Sequence, residues 1–104
     1  MNIGSLYQVK KYFWLLFPKV EYLQHLDDAR GAVVSIDADG AADYAAWYSS
    51  KYNCVVSWFS PDSLVACLEE DGNFKKVLTS EGLVGWTWFG ERDNECFEEV
   101  INNP

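Results

Sequence analysis

The feature that most constrains this chain is the division of residues 54–89 into four short β-rich runs by three compact turn signals. The runs are Cys54 to Ser60, Ser63 to Glu69, Phe74 to Thr79 and Leu83 to Phe89. Ser60-Pro61-Asp62, Asp71-Gly72 and Ser80-Glu81-Gly82 separate them. Gly72 and Gly82 supply the positive φ that a tight turn demands, so the pattern predicts three successive hairpins in an antiparallel meander. A further strand is expected from Ser5 to Trp14, where alternation merges into a solid apolar stretch closed by Pro18. Short aromatic-rich strands of this kind close most economically into a small barrel, which leaves no sheet edge exposed.

Between these β regions the pattern is weaker. Leu23, Leu26 and the run Ala32 to Ile36 suggest a helical turn followed by a short strand. Asp39 or Gly40 then stands where a helix cap belongs. Ala41, Tyr44, Ala45 and Tyr48 follow at offsets 0, 3, 4 and 7, which predicts one amphipathic helix over about residues 41–52. The expected fold is therefore α+β, mainly β: a small antiparallel barrel with one short helix, in a single domain spanning 1–104. Asn102 to Pro104 read as a frayed end.

The segment from Ser63 through Asp71-Gly72, Phe74 and Gly82 to Gly85-Trp86 resembles the C-terminal half of a bacterial SH3-type domain. In that family a strand, an acidic turn, an aromatic opening the next strand, a glycine turn and a Gly-Trp pair follow in this order. Phe74 takes the place usually held by Trp, and the family's Asn-x-Arg-x-Gly-Pro segment has no counterpart. The resemblance covers about a quarter of the chain and implies an SH3-like barrel in which about residues 19–52 are an insertion carrying the helix. The whole chain is also, more faintly, similar to short uncharacterised cyanobacterial proteins, a likeness that implies no activity.

Sixteen acids against eight Lys and Arg give a net charge of −8, which argues against a nucleic-acid partner because phosphates are drawn to positive surface. The N-terminal apolar run Tyr12 to Phe17 is too short to span a membrane and lacks a cleavage site, so no membrane association is expected and the cytoplasm is the expected location. Three cysteines, Cys54, Cys67 and Cys96, spaced by 13 and 29 residues, form neither a Cys-x-x-Cys unit nor a disulfide framework. Reduced thiols are expected, buried at Cys54 and Cys67 and more exposed at Cys96.

Catalytic chemistry finds little support. Asp37-x-Asp39-Gly40-x-x-Asp43 hints at a calcium loop, but Ala41 and Tyr48 occupy positions 5 and 12, where oxygen ligands are required. Capping and solvation are the expected roles of these acids. The sole histidine, His25, has no nucleophile in a recognisable pattern. The carboxylates of Glu69-Glu70-Asp71 and of Glu91, Asp93, Glu95, Glu98 and Glu99 are expected to be solvated, and no phosphate-binding or nucleophile-elbow motif occurs. The expectation is no enzyme, no cofactor and no metal.

Aromatic residues are in excess: five Trp, six Tyr and six Phe exceed what a barrel of this size buries completely. On the last strand Val84, Trp86 and Trp88 face one side and Leu83, Thr87 and Phe89 the other, so both faces carry a large aromatic. Trp14, Trp58, Trp86 and Trp88 are the candidate binding residues, and Asp27, Asp28, Glu98 and Glu99 a candidate acidic rim. The expected function is a protein or peptide binding module that docks an apolar or proline-containing segment and favours a basic partner. The rival is an acidic inhibitor or immunity-type protein blocking a basic partner.

Overall fold

A computed structural model describes residues 1–26 and 28–100. Strands β1 (Leu6–Val9), β5 (Leu64–Asp71), β6 (Phe74–Thr79), β7 (Val84–Trp88) and β8 (Phe97–Glu99) form one antiparallel sheet in the order β7-β6-β5-β1-β8. A second sheet has the order β3-β2-β4, from β2 (Phe13–Leu16), β3 (Val34–Ser35) and β4 (Ser57–Phe59). Helices α1 (Val20–Gln24), α2 (Ala29–Val33) and α3 (Ala38–Tyr52) precede β4, and a 3-10 helix over Glu91–Cys96 leads into β8. The fold is mixed α+β with mostly antiparallel strands. Among the described residues, both sheets are open rather than one closed barrel.

The departure from a barrel has two local causes. The expected single strand from Ser5 to Trp14 is broken at Lys10-Lys11-Tyr12. Tyr12 adopts φ 70°, a rare conformation for an aromatic residue, and this turn sends β1 and β2 into different sheets. The expected first hairpin is likewise absent: β4 pairs with β2, and β5 pairs with β1. Asp62, at φ 71°, carries the chain across instead, its backbone N–H donating to the Val9 carbonyl at 2.7 Å. The remaining two hairpins form, β5 with β6 and β6 with β7, around Gly72 at φ 61° and Gly82 at φ 86°.

The helix starts three residues before the expected 41. Asp37, not Asp39 or Gly40, is the cap: its carboxylate accepts from the Gly40 N–H at 2.6 Å. Asn53 ends the helix in the left-handed conformation, with its N–H directed to the Ser49 and Ser50 carbonyls. Ala41, Ala45 and Tyr48 are buried, whereas Tyr44, expected on the same stripe, faces out.

β2 is the middle of the molecule. Trp14, Leu15, Leu16 and Phe17 are all buried, so successive side chains pointing to opposite faces both meet core. Trp14 packs 5.0 Å from Phe97, which also meets Phe89 at 5.1 Å, while Phe17 packs 5.3 Å from Tyr48 of α3. The sheets are tied where Phe17 and Trp86 exchange backbone hydrogen bonds of 2.8 and 2.7 Å. Gly85 permits that approach, because a Cβ there would lie 3.0 Å from both Leu16 Cβ and the Phe17 carbonyl oxygen.

These glycines act differently, and substitution separates them. At Gly82 a Cβ meets open space, so Gly82→Ala costs only backbone strain, about 1 kcal/mol. Gly85→Val drives the sheets apart and is expected to cost at least about 2 kcal/mol. Urea unfolding of both variants measures the order, which reverses if the sheet contact at Gly85 is unimportant.

Candidate functional site

The four tryptophans singled out by sequence do not form one surface. Trp14 is 0% exposed and its indole N–H donates to the Lys11 carbonyl at 2.9 Å, so it is a core residue and not part of a contact patch. Trp58 is half-buried, opposite Leu15 in the register, with its ring edge-on to Phe13 at 5.9 Å. Trp86 and Trp88 are half-buried on β7, and the other face of that strand, Gly85, Thr87 and Phe89, is buried, as the alternation predicts. Trp88 lies opposite Phe74, ring centroids 5.6 Å apart.

The acidic rim is also dispersed. Asp27 lies outside the described residues, as do Asn102 to Pro104. Asp28 is exposed and caps α2, accepting from the Gly31 N–H at 3.1 Å. Glu98 and Glu99 project from β8, an edge strand, where charge discourages pairing with another chain. Glu98 meets Lys10 at 3.0 Å, an exposed pair worth at most about 1 kcal/mol. Of the three described rim residues, only Asp28 shares a concavity with one of the chosen tryptophans, Trp88.

That concavity, about 430 Å³, opens where α2, β7 and the 3-10 helix meet. Asp93, expected to be solvated, is fully buried there. Its Oδ1 accepts from Arg30 Nε at 3.2 Å and its Oδ2 from the Gly90 N–H at 2.9 Å. The pair leaves Arg30 about half exposed, its side chain held against the wall of the cavity. Burial of a carboxylate is tolerable only with such partners.

A second concavity of about 430 Å³ lies on the outer face of α3, lined by Asp43, Tyr44, Trp47 and Tyr48. Trp47 is 55% exposed and Tyr44 51%. Lys51 places its ammonium 4.9 Å from the Trp47 ring centroid. Sequence reasoning missed Trp47. The available signal was its position off the stripe of Ala41, Ala45 and Tyr48, which on a helix directs it away from the core.

The thiols are free. Cys67 and Cys96 are buried, the latter against expectation because the turn into β8 folds it inward, while Cys54 is half-buried. Burial pushes all three thiols above the ordinary cysteine range, the Asp93 carboxylate adding to the shift at Cys96. Among the described residues, no three of His, Cys, Asp and Glu gather as a metal would require, and no helix is long and apolar enough to cross a membrane. No family model, curated protein or solved structure matches this chain.

Three outcomes test this description. Trp14→Ala should lower stability by about 3–5 kcal/mol through the cavity it leaves, whereas Trp47→Ala should stay within about 0.5 kcal/mol of the parent, as thermal and urea unfolding will measure. Protonated, buried thiols should resist iodoacetamide at neutral pH, with Cys54 alkylated first and Cys67 and Cys96 only on unfolding. A raised folded-state pKa means stability present below the unfolded pKa and lost as pH rises towards the folded one, so stability should fall above about pH 8.5.

Proposed function

We propose that the protein is a non-enzymatic binding module whose contact surface is the outer face of α3, centred on Trp47 and Tyr44, and whose partner is a protein or peptide segment both apolar and basic. The observation that carries this reading is the exposure of Trp47, the most open of the five tryptophans, at the wall of a concavity. Binding hot spots are enriched in Trp and Tyr because a rigid ring offers large contact area at small entropic cost.

Charge supports the choice of partner. Asp39 and Asp43 recur at four-residue spacing with Trp47 and so share its side of the helix, in a chain of net charge −8. The ring already accommodates an ammonium group, that of Lys51. The reading keeps the expected mode, aromatic contact flanked by acids, and moves it from the β strands to the helix. The SH3-type relation of Ser63 to Trp86 belongs to this proposal and rests on the β5-β6-β7 meander ending in Gly85-Trp86. Three free cysteines suit a reducing compartment, and the cytoplasm is the proposed location.

Titration with three synthetic peptides, alternating Lys/Leu, alternating Glu/Leu and Gly/Ser, checks the proposal by calorimetry. The Lys/Leu peptide alone should bind, and Trp47→Ala should weaken it about thirtyfold, equivalent to about 2 kcal/mol, without changing the melting temperature. Equal binding of the Glu/Leu peptide, or undiminished binding to the Trp47 variant, refutes it. Loss of binding on neutralising Glu98 and Glu99 instead would favour the acidic-inhibitor reading.

A further inference from the structure

Both arginines of the chain, Arg30 and Arg92, line the cavity between α2, β7 and the 3-10 helix. In a protein with twice as many acids as bases, this is the one place where its guanidinium groups converge. Arg30 is oriented from behind by the buried Asp93, which engages Nε and leaves the two terminal nitrogens outside that contact. Arg92 is exposed at the rim and makes no ion pair among the described residues.

An independent observation comes from Trp88. Its indole nitrogen is shielded from solvent and has no hydrogen-bond partner among the described residues, although the residue lines the cavity. A buried donor without a partner costs free energy, which an acceptor on a ligand would recover. The ring also gives the cavity an apolar wall, backed by Phe74 and lying close over Gly90, where a Cβ would come within 3.0 Å of Nε1. Asn73 adds a further amide to the lining.

The space of about 430 Å³ is within the usual range for small-ligand pockets, and of its three carboxylates Asp93 is taken up by Arg30 and the Gly90 N–H and Asp28 accepts from the Gly31 N–H, which leaves the terminal guanidinium nitrogens and the indole N–H as donors for a ligand. Guanidinium forks match the two oxygens of a carboxylate or phosphate, and an indole wall matches a flat apolar body. We infer that this cavity is a binding site for a small molecule carrying a carboxylate or phosphate on a planar apolar frame, held by Arg30 and Arg92 with its ring against Trp88. The site is separate from the face of α3 and does not depend on the function proposed for it. Glu91 and Asp28, which also line the cavity, oppose the anion and set a limit on affinity.

The test uses benzoate, phenyl phosphate and benzylamine as probes, followed by the indole N–H resonance of Trp88 in proton–nitrogen NMR. One or both anions should shift that resonance saturably at millimolar concentration, benzylamine should not, and the stronger anion identifies the carboxylate or phosphate source. Arg92→Ala, at an exposed position, should weaken binding at least tenfold with the fold intact, and Glu91→Gln should strengthen it several-fold. The inference is overturned if neither anion moves the Trp88 resonance, if benzylamine moves it equally, or if Arg92→Ala binds as the parent does.

Discussion

The architecture depends on the reciprocal pair of backbone hydrogen bonds between Phe17 and Trp86. They join the end of β2 to the edge of the five-stranded sheet, and they are possible because Gly85 offers no Cβ to Leu16 and Phe17. With the sheets held there, β2 is covered on both faces, and its three buried residues together with Phe17 become the centre of the core. Phe97 receives Trp14 on one side, and Tyr48 receives Phe17 on the other. The aromatic excess is therefore largely structural: it fills a layered core between two small sheets and a helix, where large rings supply burial that short strands alone would lack.

A buried ion pair joins segments far apart in sequence. Asp93 ties α2, through Arg30, to the segment that follows β7, and the same pair holds a guanidinium at a cavity wall. Elsewhere the acids serve ends and edges: Asp37 and Asp28 cap helices, and Glu98 and Glu99 guard an edge strand. With the acids spread in this way, the proposed sites rest on the aromatic and guanidinium groups set among them. Those groups occupy two different places, Trp47 on α3 and Arg30, Arg92 and Trp88 at the other cavity.

Local chemistry is what the sequence by itself determined. Gly72 and Gly82 required their turns through backbone sterics, β6 ran from Phe74 to Thr79 as its composition indicated, and β7 alternated as written. Tertiary structure alone decided which strands pair, since β1 and β2 look like one strand until Tyr12 turns the chain, and Ser60 to Asp62 look like a hairpin until β4 pairs with β2. It also decided which rings are core: Trp14 and Trp47 are the same residue type, one enclosed by β8 and its neighbours, the other on the outer face of a helix. Asp93 belongs to that second class, a carboxylate in an acidic run that became buried because Arg30, 63 residues away in sequence, came to meet it. Turns and alternation depend on neighbours along the chain, whereas burial and pairing depend on partners brought together only by folding, and these partners define both candidate sites.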